Sequence, residues 1–89
     1  MTHRATAAFW RRFDALDPAV QAVARKNHRL LEADPRHPSL RFKKLSGTDP
    51  PLWSVRVGRD HRALAIERDG AMVWFWIGSH AAYDRPLSA

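Results

Sequence analysis

The chain contains no cysteine, which excludes a disulfide framework and thiolate chemistry. It also lacks any apolar run near the roughly 20 residues that a membrane-spanning helix needs. Its first residues are polar and charged, without the apolar segment of a secretory signal. His3, His28 and His37 have no histidine partner at the helical i, i+4 spacing and no cysteine that could share a metal ion with them. These absences predict a cytoplasmic protein that needs no membrane, metal or cofactor.

The chain also has fewer acidic than basic residues. The chain has 15 lysines and arginines against 9 aspartates and glutamates, which gives a net charge of +6 and a pI near 11.1. Most of these cations are arginine, whose planar fork binds phosphate or carboxylate with two hydrogen bonds. The balance indicates a polyanionic partner, either nucleic acid or an acidic protein, although a solubilising surface would give the same count.

The length and composition of the chain predict one folded domain that spans residues 1–89. Hydrophobic residues make up 45% of the chain and include four tryptophans, which is typical of a globule with a modest core. The sequence shows no internal repeat, low-complexity tract or linker.

Residues 53–80 are the most informative stretch, because they hold three consecutive strand-like runs. Residues 61–68 alternate with the period of 2 that is typical of a strand. Asp69 and Gly70 follow, a strong signal for a type I′ hairpin turn, in which both central residues need positive φ. Residues 72–77 are apolar at every position, which predicts a strand covered on both faces.

A two-residue turn also fixes the register of this hairpin. With this turn, the pairs Ile66–Val73, Leu64–Phe75 and Arg62–Ile77 are predicted to share one face of the hairpin. The pairs Ala65–Trp74 and Ala63–Trp76 are predicted to share the other face. Burying an arginine that has no partner is costly. The Arg62 end of the hairpin is therefore expected to face an open surface or a bound anion.

Two helices are predicted ahead of these strands. Thr6 can cap the first, over about residues 7–16. Asp17 and Pro18 are a typical helix start, and the second helix is expected to run to about Ala33. Residues 40–45 and 53–57 are further strand candidates, and residues 1–5 could add a brief edge strand. The order predicts an α+β fold, a helical hairpin packed on a four-stranded, mostly antiparallel sheet.

The loop at residues 58–60 leaves one question open. If the turn takes two residues, Arg56 and Arg62 point to opposite faces of the sheet. If it takes three, the two guanidinium groups lie opposite each other and form one anion site.

Four segments together resemble the RelE/ParE superfamily of small bacterial toxins, the toxic halves of type II toxin–antitoxin pairs. They are KKLSG at 43–47, WSVRV at 53–57, HRALAI at 61–66 and WIGSHAAYD at 76–84. The resemblance covers nearly the whole chain. It implies the fold of that family and a cognate antitoxin as partner.

Members of the RelE-like branch cleave mRNA, usually on the ribosome, by attack of a ribose 2′-hydroxyl on its own 3′-phosphate. The resemblance implies that Arg62 and Arg56 stabilise that phosphate and that His80 is a general acid or base, as in YafQ-like members. Tyr83 would stack on a base or hold the phosphate, and His61 is a second candidate for proton transfer. Contacts to RNA phosphates are expected from a further set of basic residues: Arg25, Arg29, Arg41, Lys43, Lys44 and Arg59.

The sequence departs from the RelE pattern at Ser54, where the archetype has a second lysine. Two other functions therefore stay open. The ParE branch keeps the fold, lacks the nuclease residues and inhibits DNA gyrase. A decayed toxin would bind its antitoxin and do nothing more.

Overall fold

The computed structural model describes residues 2–82 of the chain. A short strand comes first, two helices follow it, and four further strands come after the helices. Their bounds are β1 Thr2–Ala5, α1 Ala7–Asp14, α2 Pro18–Ala33, β2 Lys43–Lys44, β3 Leu52–Val57, β4 His61–Arg68 and β5 Ala71–Ser79. Short 3-10 helices lie at Pro38–Leu40 and His80–Ala82.

Both helix starts are those predicted. The Oγ1 of Thr6 accepts a hydrogen bond from the backbone N–H of Phe9 at 3.1 Å and so caps α1. Asp17 precedes α2 and Pro18 occupies its first turn, where the missing N–H has no intrahelical partner to lose. α1 ends at Asp14, two residues before the predicted end, and α2 ends at Ala33 as predicted.

The five strands form one sheet in the order β1-β5-β4-β3-β2. All neighbours are antiparallel except β1, which pairs in parallel with β5 from Thr2↔Ala71 to Ala5↔Trp74. The predicted α+β class and the N-terminal edge strand are therefore confirmed. Beyond Trp74, α1 takes the place of β1 beside β5.

The strand predicted at residues 40–45 is wrong in most of its length. Leu40 ends a 3-10 helix, and Arg41 adopts the left-handed region with φ of 45°, which no extended strand contains. Lys43–Lys44 alone pair with β3. The apolar Leu40 and Phe42 are buried or half-buried against the core because the chain bends there, not because they alternate along a strand.

The β4–β5 hairpin has the predicted turn but not the whole predicted register. Asp69 and Gly70 have φ of 52° and 76°, as a type I′ turn requires. The pairs Ile66–Val73 and Ala65–Trp74 are confirmed. A bulge at Phe75 then shifts the ladder by one residue, and the outer pairs predicted as Leu64–Phe75, Arg62–Ile77 and Ala63–Trp76 are wrong: they are Leu64–Trp76, Arg62–Gly78 and Ala63–Ile77.

The loop between β3 and β4 takes three residues. Val57 pairs with His61, and residues 58–60 form the turn, in which Gly58 supplies a positive φ of 65°. As a result Arg56 and Arg62 are cross-strand partners on one face of the sheet.

The main core lies between the helices and one face of the sheet, called here the helix face. Its buried members are Phe13, Leu31, Leu40, Val55, Val57, Ala63, Ala65, Met72, Trp74 and Ile77. The opposite face is called here the far face, and it carries Ser54, Arg56, Arg62, Leu64, Trp76 and Gly78. The bulge at Phe75 puts Trp74 on the helix face and Trp76 on the far face, so both faces of β5 are covered with large side chains.

His3 on the edge strand makes a polar contact with the core. Its Nδ1 accepts a hydrogen bond from the indole N–H of Trp74 at 3.0 Å, and the two rings stack. The ring of His28 meets His3 edge-on, and Glu32 lies 3.3 Å from His28. Desolvation, followed by the charge of His28, lowers the pKa of His3 below its ordinary value, and Glu32 opposes that shift.

We expect the free energy of unfolding to decrease as the pH falls through the histidine range. The pKa of His3 is lower in the folded chain than in the unfolded chain, so folding favours the neutral ring. That contribution is complete above the unfolded-state pKa of about 6.5 and is lost as the pH falls through the folded-state pKa. Urea unfolding at a series of pH values checks the direction.

His3→Gln is expected to flatten this pH dependence. The matched control is His37→Gln in the connector, the segment 34–42 between α2 and β2. The imidazole of His37 lies outside the core, and its Nδ1 hydrogen-bonds with Ser39. Equal pH dependence in wild-type protein and His3→Gln would contradict the assignment to His3.

Candidate functional site

The two central arginines lie side by side at one end of the far face. Arg56 is near the C-terminal end of β3, Arg62 is the second residue of β4, and the three-residue loop sets them opposite each other. Both side chains are half-buried. Like charges directly opposite on adjacent strands repel, so this pair creates a local positive potential that favours an anion.

The next strand continues this row with a glycine. Gly78 of β5 is the cross-strand partner of Arg62, so Arg56, Arg62 and Gly78 lie on three adjacent strands about 4.8 Å apart. A Cβ at Gly78 would lie only 2.8 Å from Cζ2 and 2.9 Å from Cη2 of Trp76. The indole of Trp76 therefore lies directly over Gly78, and any side chain at position 78 would clash with the ring.

A third arginine reaches this place from α1. The Nε of Arg12 donates to the backbone oxygen of Ile77 at 2.9 Å, and its guanidinium carbon lies 4.9 Å from the ring centroid of Trp76. Its Nη2 would be 3.0 Å from a Cβ at Gly78. Sequence reasoning missed Arg12, because the sequence of α1 does not indicate which strand edge lies beside the helix.

His80 begins the 3-10 helix that follows β5. Its backbone N–H donates to the backbone oxygen of Asp60 at 2.6 Å, which fixes it next to the β3–β4 loop and at the same end of the sheet as Arg62. The residue is exposed. The structure thus brings together the backbone positions of Arg56, Arg62 and His80. Tyr83, the fourth predicted site residue, lies outside the described residues.

His61 lies apart from this group, although it precedes Arg62 directly. It pairs with Ser79 and not, as the uniform register predicts, beside Gly78. Consecutive strand residues point to opposite faces. His61 lines an open cleft of about 620 Å³ on the α1 side, together with Arg11, Arg12 and Leu16.

Ser54 occupies the far face two residues before Arg56 on β3. It is 0% exposed, and its Oγ has no hydrogen-bond partner among the described residues. An unsatisfied buried hydroxyl costs about 1–3 kcal/mol. The cross-strand partner of Ser54 is Lys43 on β2. One lysine therefore lies on the far face beside Ser54, the position at which the RelE archetype has a lysine.

The basic residues predicted to contact RNA are all exposed, but they are spread over several elements and do not share one face of the sheet. By register, Lys43 is on the far face with the arginine pair, whereas Lys44 pairs with Trp53 of the helix face. Arg25 and Arg29 belong to α2, where Arg25 lies over the ring of Phe13. Arg41 and Arg59 occupy the bend before β2 and the β3–β4 loop.

A second cavity, of about 350 Å³, lies between the helices and the helix face. Its lining is mainly apolar and aromatic, and Trp10 on its wall is 45% exposed. Among residues 2–82, no cluster of three or more His, Asp or Glu side chains is arranged to hold a metal ion. No helix in the described part of the chain is long and apolar enough to cross a membrane.

The fold is that of small toxins of known structure. RelE from a RelE–RelB complex of Pyrococcus horikoshii superposes with a TM-score of 0.69 at 18% identity, covering 89% of this chain and 93% of that one. A YoeB/ParE toxin from Agrobacterium tumefaciens gives 0.68 at 18% identity, over 90% and 99% of the two chains. The isolated E. coli RelE toxin gives 0.66 at 13% identity, over 98% and 95%.

The sequence also matches the model of one family within this class of small toxins. The model of the ParE-like toxin domain matches residues 18–85. The chain therefore belongs to the ParE-like toxin domain family and is a toxin of the RelE/ParE superfamily, of the kind that forms half of a toxin–antitoxin pair. No curated protein sequence matches it.

Proposed function

We propose that this toxin is an endoribonuclease of the RelE/YafQ-like branch, which cuts mRNA on the ribosome in the cytoplasm. The observation that supports the proposal most is the pairing of Arg56 with Arg62 on the far face, at the sheet end that presents His80. Two adjacent guanidinium groups are suited to a phosphodiester whose negative charge grows during reaction.

In the proposed reaction the 2′-hydroxyl oxygen attacks the adjacent phosphorus, and the bond from phosphorus to the 5′-oxygen of the next nucleotide breaks. The products are a 2′,3′-cyclic phosphate and a free 5′-hydroxyl. Arg56 and Arg62 stabilise the charge that develops on the non-bridging oxygens in between. No metal is needed for that role, because the guanidinium groups supply the positive charge.

Two protons have to move in this reaction. One leaves the attacking 2′-hydroxyl, and one is delivered to the departing 5′-oxygen. His80 performs one of these transfers, since an imidazole can accept or donate a proton near neutral pH. Tyr83 is proposed to contact the phosphate or a base. His61 is assigned a lesser part, because it lines the α1-side cleft.

The partner of this toxin is proposed to be a cognate antitoxin. Two solved structures with this fold are complexes of RelE with RelB, from Pyrococcus horikoshii and from Methanococcus jannaschii. The net charge of +6 favours an acidic segment in such a partner. Contacts to ribosomal RNA are proposed for six exposed basic residues: Arg25, Arg29, Arg41, Lys43, Lys44 and Arg59.

A second candidate function is inhibition of DNA gyrase without catalysis. The observation that favours it is the name of the matching family, the ParE-like toxin domain. Ser54, in place of a lysine, is compatible with it, because fewer cations surround the arginine pair.

The two functions are separated by adding the purified toxin to a translating extract and, in parallel, to a gyrase supercoiling reaction. We expect new mRNA ends that carry 5′-hydroxyl groups, and unchanged supercoiling. Intact mRNA combined with blocked supercoiling would replace the nuclease proposal by the gyrase one. Intact mRNA with normal supercoiling would leave a protein that acts through its antitoxin alone.

A further inference from the structure

We propose that Arg12 of α1 is a third phosphate-binding residue of the site, so that the toxin holds single-stranded RNA with three arginines from three elements. The inference rests on the proposed function for the identity of the ligand. Its own basis is the packing of Arg12, Trp76 and Gly78 against one another at the edge of β5 beyond its pairing with β1.

The edge of β5 explains why a helix can reach the far face. β1 pairs with β5 only as far as Trp74, and α1 follows it along that edge. No strand of the described residues lies beside the carbonyl of Ile77 there, and this carbonyl accepts the Nε–H of Arg12. This bond fixes the guanidinium plane at the rim, with its remaining N–H groups available to a ligand.

Trp76 gives the same guanidinium a second support. The guanidinium carbon of Arg12 lies 4.9 Å from the indole centroid, and the indole covers Gly78. A cation over an aromatic face is attracted to it even at exposed sites. Arg12 is thus oriented before any ligand arrives, which lowers the entropy lost when a phosphate binds.

The charges near Arg12 point to an anion. No carboxylate among the described residues forms an ion pair with Arg12 or with Arg56. Gly78, on which Arg12 and Trp76 converge, is the cross-strand partner of Arg62, and Arg62 is the partner of Arg56. Arg56 and Arg62 thus lie on neighbouring strands, and the guanidinium of Arg12 lies over Gly78 on the next strand. Successive phosphates of one RNA strand are suited to such a row.

The test measures binding without cleavage, using a 2′-O-methyl RNA hexamer that has no free 2′-hydroxyl. Affinity is determined as a function of salt for wild type, Arg12→Gln and the matched control Arg11→Gln. Arg11 lies next to Arg12 on α1, and its replacement removes the same charge. Arg11 neither hydrogen-bonds to the carbonyl of Ile77 nor stacks on Trp76. Circular dichroism checks that each variant is folded.

We expect Arg12→Gln to weaken binding about fivefold or more and to reduce the salt slope by about 0.7, the value for one lost phosphate contact on a single strand. Arg11→Gln should keep the wild-type slope. Gly78→Ala retains every charge but places a methyl group where Trp76 and Arg12 lie, and it should reduce the slope by a similar amount.

Each other outcome is decisive. Equal slopes for Arg12→Gln and wild type overturn the inference, even if RNA is cut. Absence of binding by wild type overturns it as well. If wild type binds with the steeper slope but cuts no natural RNA, the three-arginine site stands and the nuclease proposal fails.

Discussion

Replacement of Arg62 by glutamine is expected to slow RNA cleavage by about 100- to 1,000-fold, the usual loss when one preorganised donor to a developing charge is removed. Arg62 is the middle member of the row, with Arg56 on one side and Gly78 on the other. Glutamine retains a polar side chain of moderate length but removes the charge. The loss should appear in the rate of the chemical step, measured in single-turnover cleavage of a labelled RNA.

Arg68→Gln is the matched control for this prediction. Arg68 ends the same strand, is exposed, and lies about 20 Å from Arg62 at the usual rise per residue. It should cleave at nearly the wild-type rate. Equal losses in the two variants would indicate that net charge, and not the arginine row, governs activity.

Replacement of His80 by glutamine is expected to slow cleavage by about 100- to 10,000-fold, because general acid–base catalysis usually contributes that much. The backbone bond from His80 to Asp60 does not involve the imidazole, so the turn should keep its shape in the variant. RNA binding should change little, since glutamine removes a proton carrier and not a fixed cation. Single-turnover cleavage of a labelled RNA by the variant and by wild type measures the loss.

His37→Gln serves as the control, since His37 caps the 3-10 helix of the connector. Cleavage by His80→Gln at the wild-type rate would remove His80 from the reaction. Cleavage lost together with RNA affinity would assign it to binding.

The elements of this fold could be predicted because their signals are local. Thr6 and Pro18 mark the two helix starts, and Asp69 with Gly70 determines the hairpin turn through their positive φ. The connector could not be predicted in this way. Leu40 and Phe42 alternate with charged residues as a strand would, but Arg41 takes a left-handed conformation that residue type does not indicate.

The site could be predicted in composition but not in geometry. Arg56 and Arg62 were identified, yet their common face depends on the length of one loop. The position of Trp76 depends on a bulge at Phe75, inside a run that is apolar throughout and so carries no alternation to fix its register. The stacking of Arg12 on Trp76 depends on this bulge too, because the shift in register determines the face on which Trp76 lies.

The parallel pairing of β1 with β5 also bears on how the toxin is made. Thr2 has to meet Ala71, so the sheet closes by joining the start of the chain to its last described strand. Contacts so distant in sequence form late, because a long loop must be ordered before they can stabilise anything. Arg12 and Trp76 are likewise far apart in sequence, so their contact can form only after β5 has left the exit tunnel of the translating ribosome.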